Sequence, residues 1–351
     1  YLYGRVGEDH FVVIADEDTF NEEYLYECRE TLQNVLSDSV YNVRVCFGIY
    51  RTDNMNESLS FMCDKASFAV ASIKDDTHSF IAYYDDTMLE AAIKYKTIVD
   101  EFDDAIKAGE FKMYLQPQIS AKTRRLTGAE ALVRRIKPDG TIISPIDFIP
   151  VYEKSGLISR LDRYIWEQAA AKLGEWKKAG INMSISVNIS PKDFYYIDIF
   201  NTFAGLIKKY DIEPSNLKIE ITETTIMSDV PNLMGELEEL RKAGFTLEMD
   251  DFGSGYSSLN TLKDINVDVL KVDMGFIKET KNVKKSRIIL ASVIKMAKEL
   301  NLLIITEGVE TEEQVDNLTK LGCDVFQGYY FSKAIDVNEF EKRYLYRKKA
   351  G

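Results

Sequence analysis

Eight apolar stretches rich in β-branched and aromatic residues follow one another between residue 111 and the C-terminus. Helical patterns lie between them, for example at residues 158–179 and 283–300. Eight strands that alternate with helices predict a (β/α)8 TIM-like barrel of the α/β class. An open doubly wound sheet is the alternative, and it is disfavoured because no GxGxxG sequence follows a strand. The predicted strands are Phe111–Ile119, Leu126–Arg135, Met183–Ser190, Leu217–Thr224, Phe245–Phe252, Val269–Met274, Leu303–Val309 and Asp324–Ser332.

The residues before the barrel differ from it in charge. Residues 1–110 carry a formal charge of −14, whereas residues 111–351 carry +1. Such asymmetry indicates two units with different functions. We predict a first domain over residues 1–85, with a strand–turn–strand and then helices. A helical connector follows over residues 86–109, and the barrel occupies residues 110–345.

The composition excludes several functional classes. With a net charge of −13 and no basic stripe, the chain is not expected to bind nucleic-acid polymers or anionic membranes. No apolar run reaches the ~18 residues of a membrane span, so we expect no membrane contact by this fragment. The four cysteines form no CxxC pair, which fits a reducing cytoplasm. Since the chain begins with Tyr1, we expect a longer protein, in which an upstream region could tether it to a membrane or a sensor.

Polar residues close the predicted barrel strands, where the active sites of such barrels lie. Acidic side chains that face one barrel mouth repel one another and are costly to desolvate, so they require divalent cations. Ligands that are all oxygen atoms, without histidine or cysteine, select Mg²⁺, Mn²⁺ or Ca²⁺ over zinc. Two such cations that share a carboxylate are a recurrent device for phosphoester hydrolysis. The residues in question are Glu130, Arg134, Asn188, Glu220, Glu223, Asp250, Asp251, Lys271, Asp273, Glu307, Glu310 and Gln327.

Lys271 has two interpretations on sequence alone. It can orient the attacking water or stabilise an oxyanion, or it can be a structural ion-pair partner of the neighbouring acids.

These residues lie in motifs that resemble the EAL-domain cyclic di-GMP phosphodiesterases. The resemblance covers roughly residues 95–340, in the order and at the spacing of the family. The matching segments are Tyr114–Pro117 (YLQP), Glu130–Leu132 (EAL) with Arg134, Phe148–Pro150 (FIP), Ser186–Ser190 (SVNIS), Glu220–Glu223 (EITE), Asp250–Ser258 (DDFGSGYSS), Leu270–Asp273 (LKVD), Glu307–Glu310 (EGVE) and Gln327–Tyr329 (QGY).

The resemblance implies a role for each matching residue. It assigns the metal ligands Glu130, Asn188, Glu220, Asp250, Asp251 and Glu307, and the catalytic residues Glu130, Lys271, Glu307 and Gln327. Gln116, Arg134, Asp273 and Glu310 are the predicted substrate-binding residues. Glu223 is predicted to anchor the loop 251–258, which couples metal binding to dimerisation in this family.

The implied reaction is the hydrolysis of cyclic di-GMP to linear pGpG. It would use two Mg²⁺ or Mn²⁺ ions per active site, with Ca²⁺ inhibitory, in a homodimer formed through the EAL domain. A catalytically inactive receptor for cyclic di-GMP that signals through protein partners is the alternative function. A barrel hydrolase acting on another phosphoester is the third.

Residues 1–85 resemble the C-terminal half of a GGDEF domain. Gly7–Phe11 reads GEDHF, so that Glu8 stands in place of the second glycine and His10 in place of an acid. Both differences oppose diguanylate cyclase activity. Glu8 puts a side chain where the backbone should approach a phosphate, and His10 replaces the acid that should hold Mg²⁺. We therefore expect a truncated, degenerate domain with a regulatory function and no cyclase activity.

Overall fold

A computed structural model of the chain describes residues 1–7, 9–36, 44–52, 54, 56–74, 76, 78–228, 230, 232–253, 262–263, 265–274 and 283–346. The chain divides into two compact units, Tyr1–Asp100 and Glu101–Gly351. The boundary falls inside the predicted connector, and the division into residues 1–85, 86–109 and 110–345 stays a prediction. None of the helices in the described residues is long and apolar enough to cross a membrane.

The described residues of the first unit form two small sheets and three α-helices. An antiparallel hairpin pairs Leu2 with Ile14, and a parallel pair of strands aligns Phe47 with Ile81. The elements are β1 (Leu2–Arg5), β2 (Phe11–Ile14), α1 (Glu23–Leu36), β3 (Phe47–Ile49), α2 (Leu59–Ser72), β4 (Ile81–Tyr83) and α3 (Asp86–Asp100), with a 3₁₀ turn at Glu17–Thr19.

The core of the first unit lies between α2 and the parallel strands. Ala69 of α2 and Ile73, the residue that caps the C-terminus of α2, form a buried cluster with Ala82 of β4. Next to this cluster the ammonium of Lys65, a side chain buried on α2, donates to the Tyr50 hydroxyl at 2.7 Å and pairs with Glu57 at 3.1 Å. A buried charge is tolerated where it is paired and hydrogen-bonded in this way.

The second unit is a closed barrel surrounded by helices. Its elements are α4 (Phe102–Lys107), β5 (Phe111–Ser120), β6 (Leu126–Ile136), β7 (Ile142–Ile143), α5 (Pro145–Ser155), α6 (Ile158–Lys178), β8 (Ile185–Ile189), α7 (Asp193–Tyr196), α8 (Ile199–Tyr210), β9 (Leu217–Thr222), α9 (Glu223–Ile226), α10 (Leu233–Lys242), β10 (Leu247–Asp250), β11 (Val269–Asp273), α11 (Val283–Glu299), β12 (Leu303–Glu307), α12 (Glu312–Leu321), β13 (Val325–Phe326), β14 (Ile335–Asp336) and α13 (Val337–Phe340). Short 3₁₀ and π segments cover Pro214–Asn216 and Glu341–Leu345.

The barrel consists of the eight strands β5, β6 and β8–β13, and it closes because β5 pairs with both β6 and β13. The predicted TIM-like (β/α)8 fold and its eight strands are confirmed. One strand differs from the ideal pattern: β5 runs antiparallel to both of its barrel neighbours. The five residues between β5 and β6 are too few for a helical crossover, so these two strands form a hairpin.

Local sequence signals explain where several helices begin and end. The helix α12 begins with a capping box, in which Thr311 accepts from the backbone N–H of Gln314 and the Gln314 side chain accepts from that of Thr311. It ends at Gly322, whose φ of 94° favours glycine. Gly156, with φ of 77°, ends α5 in the same way.

The barrel interior changes from apolar to polar along the strands. Val269, Ile305 and Val325 form one buried cluster on three neighbouring strands. Lys271 lies two residues after Val269, and Glu307 lies two residues after Ile305. Because side chains alternate along a strand, each polar side chain points to the same side of the sheet as its apolar predecessor. The apolar cluster therefore forms a floor, above which the polar residues converge.

Candidate active site and metal centre

Lys271 of β11 lies at the centre of the polar end of the barrel. Its side chain is 1% exposed. The ammonium pairs with Glu130 of β6 at 3.5 Å, Asp250 of β10 at 3.4 Å and Glu307 of β12 at 2.8 Å, and it also contacts Glu220 of β9. One buried cation is thus surrounded by four carboxylates from four strands.

The electrostatics of this group show an excess of negative charge. Burial raises the pKa of Asp250 well above its usual value, and the neighbouring charges of Glu307 and Glu130 raise it further. Burial also raises the pKa of Glu307, although Lys271 opposes the shift. Burial alone would lower the pKa of Lys271, but Glu130 and Glu307 outweigh it, so that the pKa is raised and the ammonium stays charged.

The residues present fit a divalent cation. Carboxylate oxygens of Glu130, Glu220 and Glu307 lie within 4.8 Å of one another, a spacing at which a single ion can be held. The buried Glu220 Oε2 accepts no hydrogen bond from the described residues. A buried carboxylate oxygen with this surplus of negative charge favours a hard cation as its partner.

Two amide side chains donate to Glu130, and a third bonds to one of these two. Asn188 of β8 reaches Glu130 Oε1 with its Nδ2 at 3.5 Å, and the backbone carbonyl of Asn188 accepts from the Trp166 indole at 2.9 Å. Gln327, which follows β13, donates through Nε2 to Glu130 Oε2 and to Gln116 Oε1, the latter at 3.3 Å. The structure therefore brings together eight of the predicted residues, namely Gln116, Glu130, Asn188, Glu220, Asp250, Lys271, Glu307 and Gln327.

The turn after β10 holds the second aspartate of the pair. Asp251 has a φ of 54°, in the left-handed region that few residues other than glycine adopt. Burial raises its pKa, as do the charges of Asp273, Glu130 and Glu223. Glu223 Oε2 accepts from the backbone N–H of Gly253 at 3.1 Å, a contact that holds the start of the predicted loop. Residues 254–258 of that loop lie outside the described residues.

Three further predicted residues lie on barrel strands or just beyond them. Arg134 of β6 donates to the backbone carbonyl of Val133 at 2.7 Å. Asp273 ends β11 and is the register partner of Glu307, and the backbone N–H of Glu310 donates to Gln314 at 2.7 Å. The predicted contacts of Arg134, Asp273 and Glu310 with substrate stay predictions.

Sequence reasoning placed Glu130 at a strand end, whereas β6 continues to Ile136. The sequence analysis also missed two buried polar residues in the middle of barrel strands, Gln118 and Glu248. Gln118 of β5 is 1% exposed and donates to Gln327 Oε1 at 3.3 Å. Glu248 of β10 is fully buried and pairs with Lys218 of β9 at 2.8 Å. The period-two spacing of Gln116 with Gln118, and of Glu248 with Asp250, is the signal that could have revealed them.

Comparison with known proteins identifies the barrel. The family model of the EAL domain matches residues 99–334. The signaling protein YkoW of Bacillus subtilis (strain 168) is 31% identical over 96% of this chain and 43% of its own length. The probable cyclic di-GMP phosphodiesterase PdeG of Escherichia coli (strain K12) is 36% identical over 98% of this chain and 66% of its own length. The chain spans about half the length of the curated relatives it matches.

Solved structures show the same similarity. The structure of the PaMucR phosphodiesterase in complex with c-di-GMP has a TM-score of 0.65 and 32% identity, over 70% of this chain and 99% of that chain. The structure of an EAL domain protein from Listeria monocytogenes EGD-e has a TM-score of 0.59 and 32% identity, over 70% of this chain and 97% of that chain.

Proposed function

Because this chain belongs to the EAL domain family, we propose that it hydrolyses cyclic di-GMP to linear pGpG with the help of divalent cations. The observation that carries the proposal is the group of four carboxylates around the buried ammonium of Lys271. Relatives named cyclic di-GMP phosphodiesterase support the choice of substrate.

The chain offers a set of oxygen ligands for two Mg²⁺ or Mn²⁺ ions. We assign them to the residues that the sequence motifs nominate, namely Glu130, Asn188, Glu220, Asp250, Asp251 and Glu307. When bound, such cations neutralise the charge of the phosphodiester and lower the pKa of water.

The chain's own residues then position the reactants. Lys271 stays protonated in its acidic surroundings and donates a hydrogen bond to the attacking water. Glu307, whose pKa is raised, is suited to accept a proton from that water. The water oxygen bonds to phosphorus as one P–O bond of the ring breaks. The leaving oxygen takes up a proton from solvent to give pGpG, and Glu307 returns its proton to solvent.

The substrate is held at the rim by polar side chains. We assign Gln116, Arg134, Asp273 and Glu310 to substrate binding, and Gln327 to the support of Glu130. We also propose that the EAL unit forms a homodimer. In this proposal Glu223 holds the loop 251–258, which couples dimerisation to metal binding. The GGDEF-like residues 1–85 are regulatory and without cyclase activity in this proposal, supported by the sequence at Gly7–Phe11.

Turnover of cyclic di-GMP tests the proposal. Purified chain is incubated with cyclic di-GMP and Mg²⁺ or Mn²⁺, with and without EDTA, and the products are separated by chromatography. The variant Glu130→Gln keeps the shape of the side chain and removes its charge. Glu299→Gln, at an exposed helix end, is the matched control.

Two outcomes separate the functions. Metal-dependent pGpG from the wild type and Glu299→Gln, but not from Glu130→Gln, supports the enzyme. Tight binding of intact cyclic di-GMP without product would contradict it and favour a receptor that signals through protein partners.

A further inference from the structure

A chain of glutamine side chains runs from inside the barrel to Glu130. Gln118 Nε2 donates to Gln327 Oε1 at 3.3 Å, and Gln327 Nε2 donates to Glu130 Oε2. Gln118 is 1% exposed and Gln327 is 3% exposed. Each hydrogen bond in this buried chain is therefore shielded from competition with bulk water.

The neighbouring strand leaves room for the Gln118 amide. Gly128 of β6 is the register partner of Gln118, and a Cβ atom at Gly128 would lie 2.9 Å from Gln118 Oε1 and 2.7 Å from Ser184 Oγ. The pairing of β5 with β6 also shifts register between Gln118 and Ile119. Both features allow a bulky polar side chain to point inward at this level of the barrel.

The hydrogen-bond chain fixes the orientation of one amide. A glutamine amide has a donor end and an acceptor end of nearly the same shape, so its environment decides which end points where. If the Gln327 amide were reversed, its oxygen would face the Glu130 carboxylate and its NH₂ group would face the donor of Gln118. The Glu130 carboxylate can only accept, so it sets the orientation in which Gln327 donates. The Gln118 donor holds that orientation by satisfying the buried Gln327 oxygen.

We propose that Gln118 is a positioning residue, which holds the Gln327 amide in its donating orientation and through it keeps the Glu130 carboxylate ready for a divalent cation. The effect on turnover rests on the proposed function, whereas the orientation of Gln327 does not. A partner that orients a metal ligand typically changes metal affinity or activity by about 10–100-fold when it is removed.

Two variants perturb this contact in different ways. Gln118→Met keeps the volume of the side chain and removes the donor. Gly128→Ala keeps Gln118 and places a methyl group against its amide. Gln168→Met is the matched control. Gln168 is a half-buried glutamine that bonds to the backbone of β5 at Phe111 and Met113 and is not among the hydrogen-bond partners of Gln327.

Three measurements test the proposal. The side-chain amide signals of Gln327, assigned by comparison with Gln327→Met, are recorded by ¹⁵N NMR. The affinity for Mn²⁺ is measured calorimetrically without substrate, and kcat and KM are measured for cyclic di-GMP. We expect Gln118→Met to shift the Gln327 amide signals, to weaken Mn²⁺ binding about 10-fold and to lower kcat about 10-fold, with KM nearly unchanged.

The second variant makes the inference specific. Gly128→Ala should reproduce these changes, and the double variant should lose little more than either single variant, because both act on one contact. Gln168→Met should leave the Gln327 signals, Mn²⁺ affinity and kcat unchanged. If one of the two site variants does not fold, the other decides.

Failure of this inference is distinguishable from failure of the proposed function. Unchanged Gln327 signals and Mn²⁺ affinity in the site variants would overturn the positioning role, whatever the turnover. A wild type that turns over no cyclic di-GMP, but whose Gln327 signals and Mn²⁺ affinity respond to Gln118→Met, would overturn the proposed function alone.

Discussion

Replacing Lys271 by methionine removes the positive charge at the centre of the site and keeps most of the side-chain volume. The Lys271 side chain is 1% exposed, and its ammonium lies within ion-pair distance of four carboxylates. Removing one partner of a buried ion pair costs about 3–5 kcal/mol, since the remaining charge is left uncompensated. The small difference in side-chain volume between lysine and methionine costs less than about 1.5 kcal/mol. We therefore expect Lys271→Met to lower the free energy of unfolding by about 3 kcal/mol in EDTA.

Divalent cations should reverse most of this loss. A ligand at 100 times its dissociation constant stabilises the folded state by about 2.7 kcal/mol. Without the competing ammonium, the carboxylates of Glu130, Glu220 and Glu307 should bind Mn²⁺ more tightly, so that the gain in stability exceeds that of the wild type. Turnover should nevertheless fall, because the donor to the attacking water is gone.

Urea denaturation in EDTA and in Mn²⁺ measures both effects. Lys298→Met is the matched control, because Lys298 pairs with Asp324 while 40% exposed, and exposed pairs contribute only about 0–1 kcal/mol. A loss below about 1 kcal/mol for Lys271→Met in EDTA would refute the reasoning, since it would mean that the four carboxylates do not need the ammonium.

Two further predictions concern buried groups that are not among the proposed metal ligands. Burial raises the pKa of Asp193 to about 6, and it raises the pKa of the neighbouring Asp162 as well. An acid with a raised pKa in the folded state destabilises the protein as pH rises through that pKa. The stability of Asp193→Asn relative to the wild type should therefore increase by about 1 kcal/mol from pH 5 to pH 7.5. Denaturation at both values checks this, and a constant difference would contradict it. Burial also raises the pKa of the Cys323 thiol to about 11, whereas Cys28 is exposed. At pH 8 a disulfide reagent should modify Cys28 at least about 100-fold faster than Cys323, as followed by peptide mass spectrometry, and equal rates would show that Cys323 is accessible.

Much of the barrel follows from the sequence because its strands are long apolar runs separated by helical segments. The direction of β5 was the exception. An alternating pattern suggests parallel strands, but the five residues from Ala121 to Arg125 decide for a hairpin. The two-residue strands β7 and β14 are too short to give a periodic signal.

The candidate site was predictable where charged residues follow apolar strands, as at Asp250 and Glu307. Its support was not predictable in the same way, because Gln118 and Glu248 lie within strands and their neighbours are set by barrel closure. Which amide of Gln116, Gln118 and Gln327 donates to which depends on the register of β5 with β6 and β13. That register is a property of the whole sheet and not of any single segment.

Cation binding by the acidic residues around Lys271 is the central claim, and the anomalous scattering of Mn²⁺ tests it most directly. Crystals of the chain grown with Mn²⁺ would be measured at the manganese absorption edge. We predict anomalous density in ligand contact with Glu130, Glu220 and Glu307, whose carboxylate oxygens lie within 4.8 Å of one another. Density elsewhere only, with the Lys271 ammonium still the sole cation among the four carboxylates, would contradict the account.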